Sequence, residues 1–164
     1  MLGDFLPREE ASRSLKPEPD SAVELKVRAL RHLMRREHSR AELARKLAPH
    51  AESPQALEAV LDELAQRKQL SDERYAETRA HSLSRKYGAA KVRQDLKAHG
   101  VADAVIARVS TEGDLEKAKA ILARKYRNAA TTREEKAKRA RFLQGRGFSY
   151  DVVARLLFGS DPEF

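Results

Sequence analysis

Apolar positions in this chain fall in short helical runs, each closed by a polar residue or a glycine. In "VELKVRALRHLMRRE" Val23, Val27, Leu30 and Met34 form one stripe, and Arg28, Arg31 and Arg35 form another. That is the spacing of an amphipathic helix. "SRAELARKL" follows, with Ser39 as N-cap, Glu42 three residues on in capping-box position, and Leu43 and Leu47 one turn apart. "SPQALEAVLDELAQRKQL" sets Ser53 before Pro54, a proline suited to the first helical position, and turns Leu57, Val60, Leu61 and Leu64 inward. Strand-like alternation is nearly absent, and no proline occurs between Gln55 and Asp161.

The same three-helix pattern is then written twice more. "SDERYAETRAHSLSRKY" predicts a helix capped by Ser71 or Asp72 and ended by Gly88. "AAKVRQDLKAHG" carries Val92 and Leu96 to Gly100, a residue suited to the turn after a helix, and "VADAVIARV" supplies the third helix, with Asp103 near its start. The last set is "GDLEKAKAILARKYR", "TTREEKAKRARFLQGRG" ending at Gly147, and "FSYDVVARLLFG", capped by Ser149 and stopped near Gly159. Leu47, Leu96 and Leu143 align, as do Leu64, Val109 and Leu156; the third-unit counterpart of Val92 is Arg139. The predicted fold is all-α, with three tandem three-helix, helix-turn-helix-like units over residues 22–71, 72–113 and 114–164. An acidic, flexible N-terminal tail (1–21) precedes them. Small units of this kind bury little alone and gain stability from neighbours, so an elongated, curved row is expected rather than a compact nine-helix bundle.

Charge sharpens this picture. The 164 residues carry a net +8, and residues 114–164 alone carry +5. Such a surplus favours an anionic partner. There is no cysteine, which excludes disulfides and thiolate chemistry and suits a cytoplasmic protein. The five histidines form no pair with metal-ligand spacing, and no phosphate-binding loop is present. No apolar run approaches the roughly 20 residues of a membrane span. The expectation is a monomeric binding protein without cofactor or metal, not an enzyme.

The candidate binding residues are basic and have aromatic neighbours. Arg85-Lys86-Tyr87 and Arg124-Lys125-Tyr126 occupy the same place in two units, and Arg74 and Tyr75 open the middle one. Lys91, Arg93, Lys97, Lys138 and Arg141 lie on second helices, as do Lys136 and Arg139. Arg and Lys pair with phosphates or with acidic side chains, and a row of weak contacts can span several subunits of a polymer. The three tyrosines also suit small cores.

Three blocks in order resemble the RecX family of bacterial recombination regulators. The middle block, "LSDERYAETRAHSLSRKYGAAKVRQDLKAHGV", matches a family pattern at Asp72, Arg74, Tyr75, Ala76, Arg85, Lys86, Gly88, Val92, Arg93, Leu96, Gly100 and Val101. "FLQGRGFSYDVVARLL" resembles the family's C-terminal block and "ALRHLMRREHSRAELARKL" its first. Arg79 falls in a region where the family often has an aromatic. The resemblance implies a non-enzymatic modulator of the RecA recombinase that acts in recombination, DNA repair and the SOS response. Such a protein would bind the RecA–DNA filament in its groove and lower its ATPase, strand-exchange and co-protease activities, with weak electrostatic contact to single- and double-stranded DNA. The alternative is a direct DNA-binding helix-turn-helix protein. Against it, the candidate recognition helices "VADAVIARV" and "SYDVVARLL" are short and mostly apolar.

Overall fold

A computed structural model describes residues 16–159. Nine α-helices are present among them, three to a unit. Unit 1 comprises α1 (Ala22–Arg35), α2 (Arg40–Leu47) and α3 (Pro54–Gln66), with a 3-10 turn at Ala48–His50. Unit 2 comprises α4 (Asp72–Leu83), α5 (Ala89–Ala98) and α6 (Asp103–Ile106), and unit 3 comprises α7 (Asp114–Lys125), α8 (Arg133–Gly145) and α9 (Tyr150–Phe158). Most of the tail expected to be flexible lies outside the described residues. Its last part does not hang free: the Asp20 amide donates to His50 O at 2.8 Å, and Arg28 Nε donates to Asp20 Oδ2 at 2.7 Å.

Local sequence explains most helix starts. Ser21, Ser39, Ser53, Ser71, Thr132 and Ser149 each accept a first-turn amide on the side-chain oxygen, satisfying donors a helix leaves unpaired. Ser21–Glu24 and Thr132–Glu135 complete reciprocal capping boxes. The box expected at Ser39–Glu42 is only half made, because the Glu42 carboxylate turns instead to Arg36. Helix α4 stops at Leu83, short of the expected Tyr87, and Gly88 is the N-cap of α5 rather than the stop of α4. The helix expected over "VADAVIARV" is a single turn.

Each unit has its own core. Leu25, Ala29, Leu43, Leu47, Leu57, Val60, Leu61, Leu64 and Leu70 fill the first. Tyr75, Ala76, Val92, Leu96, Val101 and Ile106 fill the second, and Ala118, Ile121, Leu122, Leu143, Phe148 and Val153 the third. The aligned Leu47, Leu96 and Leu143 are all fully buried. The substantial helix packing is within units, as in a row of modules rather than a fused bundle. The α1 face is rotated from the expected one: Leu25 and Ala29 are buried, while Val23, Val27 and Met34 are exposed. The period was right, but two adjacent apolar stripes compete on this helix, and the core takes Leu25 and Ala29.

One joint is used twice to link the units. The second helix of a unit points its N-terminus at the next unit, where an aspartate opening the first helix accepts from it. Arg40 N donates to Asp72 Oδ1 at 2.8 Å, and Ala89 N donates to Asp114 Oδ2 at 3.2 Å. An acid at a helix N-terminus is favoured by the free amides and by the helix dipole. The same cap then meets the glycine turn that follows the next unit's second helix. Ser39 Oγ donates to His99 O at 2.7 Å, and Gly88 N donates to Arg146 O at 2.8 Å. Gly100 and Gly147 both adopt positive φ. A Cβ on Gly100 would lie 2.4 Å from Ala41 Cβ, and one on Gly147 would lie 2.5 Å from Lys91 Cβ and N. Glycine is required there for conformation and for clearance.

Candidate nucleoprotein interface

The second joint brings the two basic-aromatic tripeptides together. Arg85 and Lys86 sit in the turn after α4, and Arg124 and Lys125 end α7. Arg124 Nη2 donates to Arg85 O at 3.1 Å, and Arg146 Nη1 donates to Lys86 O at 3.1 Å. These two bonds tie unit 3 to the turn of unit 2 and gather Arg85, Lys86, Arg124, Lys125 and Arg146 at one seam. None of the five has a carboxylate within ion-pair reach among the described residues.

Aromatic rings hold two of the five cations, Lys125 and Arg146, in place. Lys125 Nζ lies 4.0 Å from the Phe142 ring centre, and the Arg146 guanidinium lies 4.9 Å from Phe142 and 5.6 Å from Tyr87. The Tyr126 and Phe142 rings meet edge to face at 6.3 Å. Arg139, the residue that replaces an apolar one, stacks 4.3 Å from Tyr126 and donates to Asn128 O at 2.8 Å. Cation–π contact of this kind is worth about 0.5–1 kcal/mol at exposed sites. It orders long side chains while leaving them charged and open to an anion.

The other expected binding residues divide. Lys91, Lys97, Lys138 and Arg141 are exposed. Arg74 is occupied inside the molecule: Nε donates to Glu37 Oε1 at 2.8 Å, and the guanidinium also donates to Lys68 O and Gln69 O. Arg93 ties α5 to the end of unit 2 through Val109 O at 2.7 Å. Tyr75 is buried in the second core, and burial pushes its hydroxyl pKa up. Tyr87 and Tyr126 are half-buried, each with an arginine over the ring. Arg79, where an aromatic is usual in the family, makes a two-pronged pair with Asp95 at 2.8 and 2.9 Å. That hydrogen bonding draws the Asp95 carboxyl below the usual range.

Arg146 is the seam residue that sequence reasoning passed over. Its neighbours Gly145 and Gly147 invite comparison with nucleotide-binding motifs, which they do not complete. The available signal was its place immediately before an aligned turn glycine. Among the described residues no three His, Asp or Glu side chains group as metal ligands, and no helix is long and apolar enough to cross a membrane.

Comparison with known proteins agrees with the repeated three-helix fold. Models of the first, second and third three-helix domains of RecX match residues 26–64, 71–109 and 112–157. The chain belongs to the RecX family. Regulatory protein RecX of Ralstonia nicotianae is 43% identical over 146 residues, covering 87% of this chain and 92% of the relative. That of Leptothrix cholodnii is 44% identical, covering 86% and 92%. The crystal structure of RecX from Lactobacillus salivarius superposes with a TM-score of 0.73 at 19% identity, covering 84% of this chain and 94% of that one. A second RecX crystal structure gives 0.67 at 22% identity, over 82% and 72%. The RecX relatives are regulators by name.

Proposed function

We propose that this chain binds the RecA–DNA nucleoprotein filament and lowers RecA's ATPase, strand-exchange and co-protease activities, so acting in recombination, DNA repair and the SOS response. The observation that carries the proposal is the seam: five cations gathered from units 2 and 3, two of them lying against aromatic rings and none with a carboxylate in ion-pair reach among the described residues. Unpaired Arg and Lys are the groups that contact phosphates, and those contacts position a protein without reading sequence. A row of modules linked by a repeated hydrogen-bonded joint offers such contacts at intervals along a polymer, where several weak contacts act together.

Direct recognition of duplex DNA is less well supported. Helix α6 is one turn long with Ile106 in the core, so the candidate recognition helix of unit 2 is too short to read a groove. In the proposal the chain is a monomer in the cytoplasm and needs no cofactor.

The test is RecA's single-stranded-DNA-dependent ATP hydrolysis with the chain added. Wild type lowers the rate, and the Arg85→Glu/Lys86→Glu variant needs on the order of tenfold more protein for the same effect, with its circular dichroism unchanged. Unchanged hydrolysis at excess wild-type protein overturns the proposal. Full inhibition by the variant removes the seam from the interface. Direct DNA binding would instead appear as tight, steeply salt-dependent affinity for bare DNA.

A further inference from the structure

Beside the cationic seam the middle unit carries a cavity of the opposite sign. It encloses about 320 Å³ between α4, α5, α6 and the start of α7. Ala76, Val92 and Val105 contribute buried or half-buried apolar surface, and Glu73, Glu77 and Glu112 contribute exposed carboxylates. Arg108 and Lys117 also line it, but with Asp114 the acids number four against two. Among the described residues neither Glu77 nor Glu112 has a basic partner within ion-pair reach. On a chain of net +8, whose acids in unit 1 are largely tied to arginine or lysine, unpaired carboxylates around an apolar cavity stand apart.

A second observation concerns Asp114. It lines the cavity and is only 4% exposed, with Oδ2 accepting the Ala89 amide. Among the described residues its Oδ1 accepts no hydrogen bond, and it makes an ion pair with Lys117 Nζ at 3.7 Å. A buried acceptor without a hydrogen bond costs free energy.

We propose that this cavity is a socket for an arginine or lysine side chain of a protein partner. The chemistry matches at both ends. The methylene stem of such a side chain lies against apolar surface while its cationic head stays among charges and water, and the carboxylates supply charge-assisted acceptors. A phosphate would be repelled by the same groups, so nucleic acid is the wrong occupant. The socket deepens the filament-binding reading: the seam takes the anionic component of a nucleoprotein, and the socket takes a basic segment of its protein.

The test does not need a filament. The full-length chain, ¹⁵N-labelled, is titrated with the blocked tripeptide Ac-Leu-Arg-Leu-NH₂ and with Ac-Leu-Glu-Leu-NH₂ as its charge-reversed control. The expected result is saturable amide shifts at Glu77, Ala80, Val92 and Val105 with the arginine peptide alone. In the Glu77→Lys/Glu112→Lys variant, whose exposed substitutions leave the circular dichroism and melting unchanged, the affinity falls on the order of tenfold. Shifts that are equal for both peptides, spread over other exposed acids such as Glu58 and Asp62, or persist undiminished in the variant overturn the socket. Sedimentation with RecA–DNA filaments separates the two ideas. Filament binding without the peptide effect sinks the socket alone, and the peptide effect without filament binding sinks only the filament reading.

Discussion

Units 1 and 3 carry similar numbers of basic side chains and use them differently. Unit 1 has ten, and five of them, Lys26, Arg28, Arg36, Arg40 and Arg67, are held by carboxylates. Arg40 alone bridges Glu58 and Asp62, tying α2 to α3. Unit 3 has twelve, and only Lys117 and Arg155 reach a described acid, each on its own helix. Its remaining cations lie against aromatic rings, bond backbone carbonyls or stand in solvent. The cores differ in step, with nine buried residues in unit 1 and six in unit 3. Unit 1 is built as an anchor, with charge turned inward on itself. Unit 3 is built to present charge, and it relies on its joint with unit 2 for support.

Truncating the leucine shared by both cores is the hardest way to break this contrast. Leu143→Ala and Leu47→Ala each remove a fully buried side chain, at a cost of about 2–5 kcal/mol. The smaller core is expected to yield: hydrogen exchange should show unit 3 opening in the first variant, while unit 1 stays protected in the second. Similar protection in both would mean the units are not separately stable.

Wedging the second joint comes next. A Cβ on Gly88 would lie 2.5 Å from Gly147 O and 2.8 Å from Phe148 N, all backbone. Gly88→Val is expected to cost about 1–3 kcal/mol through overpacking and to lower inhibition of RecA by splitting the seam. Gly145→Ala, with nothing within 4 Å of the new Cβ, serves as the neutral control. Melting curves and the ATPase assay together check this.

Single charge removals sharpen the comparison further. Arg40→Ala should cost stability, at most about 1 kcal/mol given its partial exposure, and leave filament binding intact. Arg124→Ala should instead reduce the salt slope of filament binding by about one, at a stability cost of about 1 kcal/mol or less for the exposed bond to Arg85 O.

Acid should separate the units most gently. The Glu42 carboxyl is drawn below its usual range by Arg36, and Asp20 by Arg28. The unfolded chain therefore takes up these protons first as pH falls, and that stabilisation, complete above the ordinary carboxylate range, is lost on descending through it. His38, buried at 2% exposure, has its pKa lowered by desolvation, and His32 shifts the same way. Their contribution is full above the ordinary histidine range and declines below it, because the unfolded chain protonates more readily. In unit 3 Glu135 is lowered, by hydrogen bonds from Thr131 and Thr132. Hydrogen exchange across pH should show unit 1 losing more protection than unit 3, and His38→Asn should flatten the part near neutrality.

Much of the fold was legible because its signals are local. Serine and threonine caps and turn glycines sit within a few residues of what they terminate, so they could be read in place. Where two readings competed locally, the expectation slipped. Gly88 was read as a stop because it follows a helix, yet its absent side chain serves the backbone of Gly147 in the next unit. Val23, Val27 and Met34 have core-like spacing and lie outside the core, because Leu25 and Ala29 form a neighbouring stripe that fits the other helices better. Arg74 and Tyr75 looked alike as binding candidates, and only packing shows one braced by Glu37 and the other buried.

By itself the sequence determined the number of units, their helical character, most of their caps and the cationic balance of the last unit, since periodicity, capping and charge are properties of neighbouring residues. The tertiary structure decided which cations stay free and where they meet. Ser39 reaches His99 and Arg146 reaches Lys86 across sixty positions. Such pairings depend on how one unit's helix end docks against the next unit's turn, and no window along the chain contains both partners.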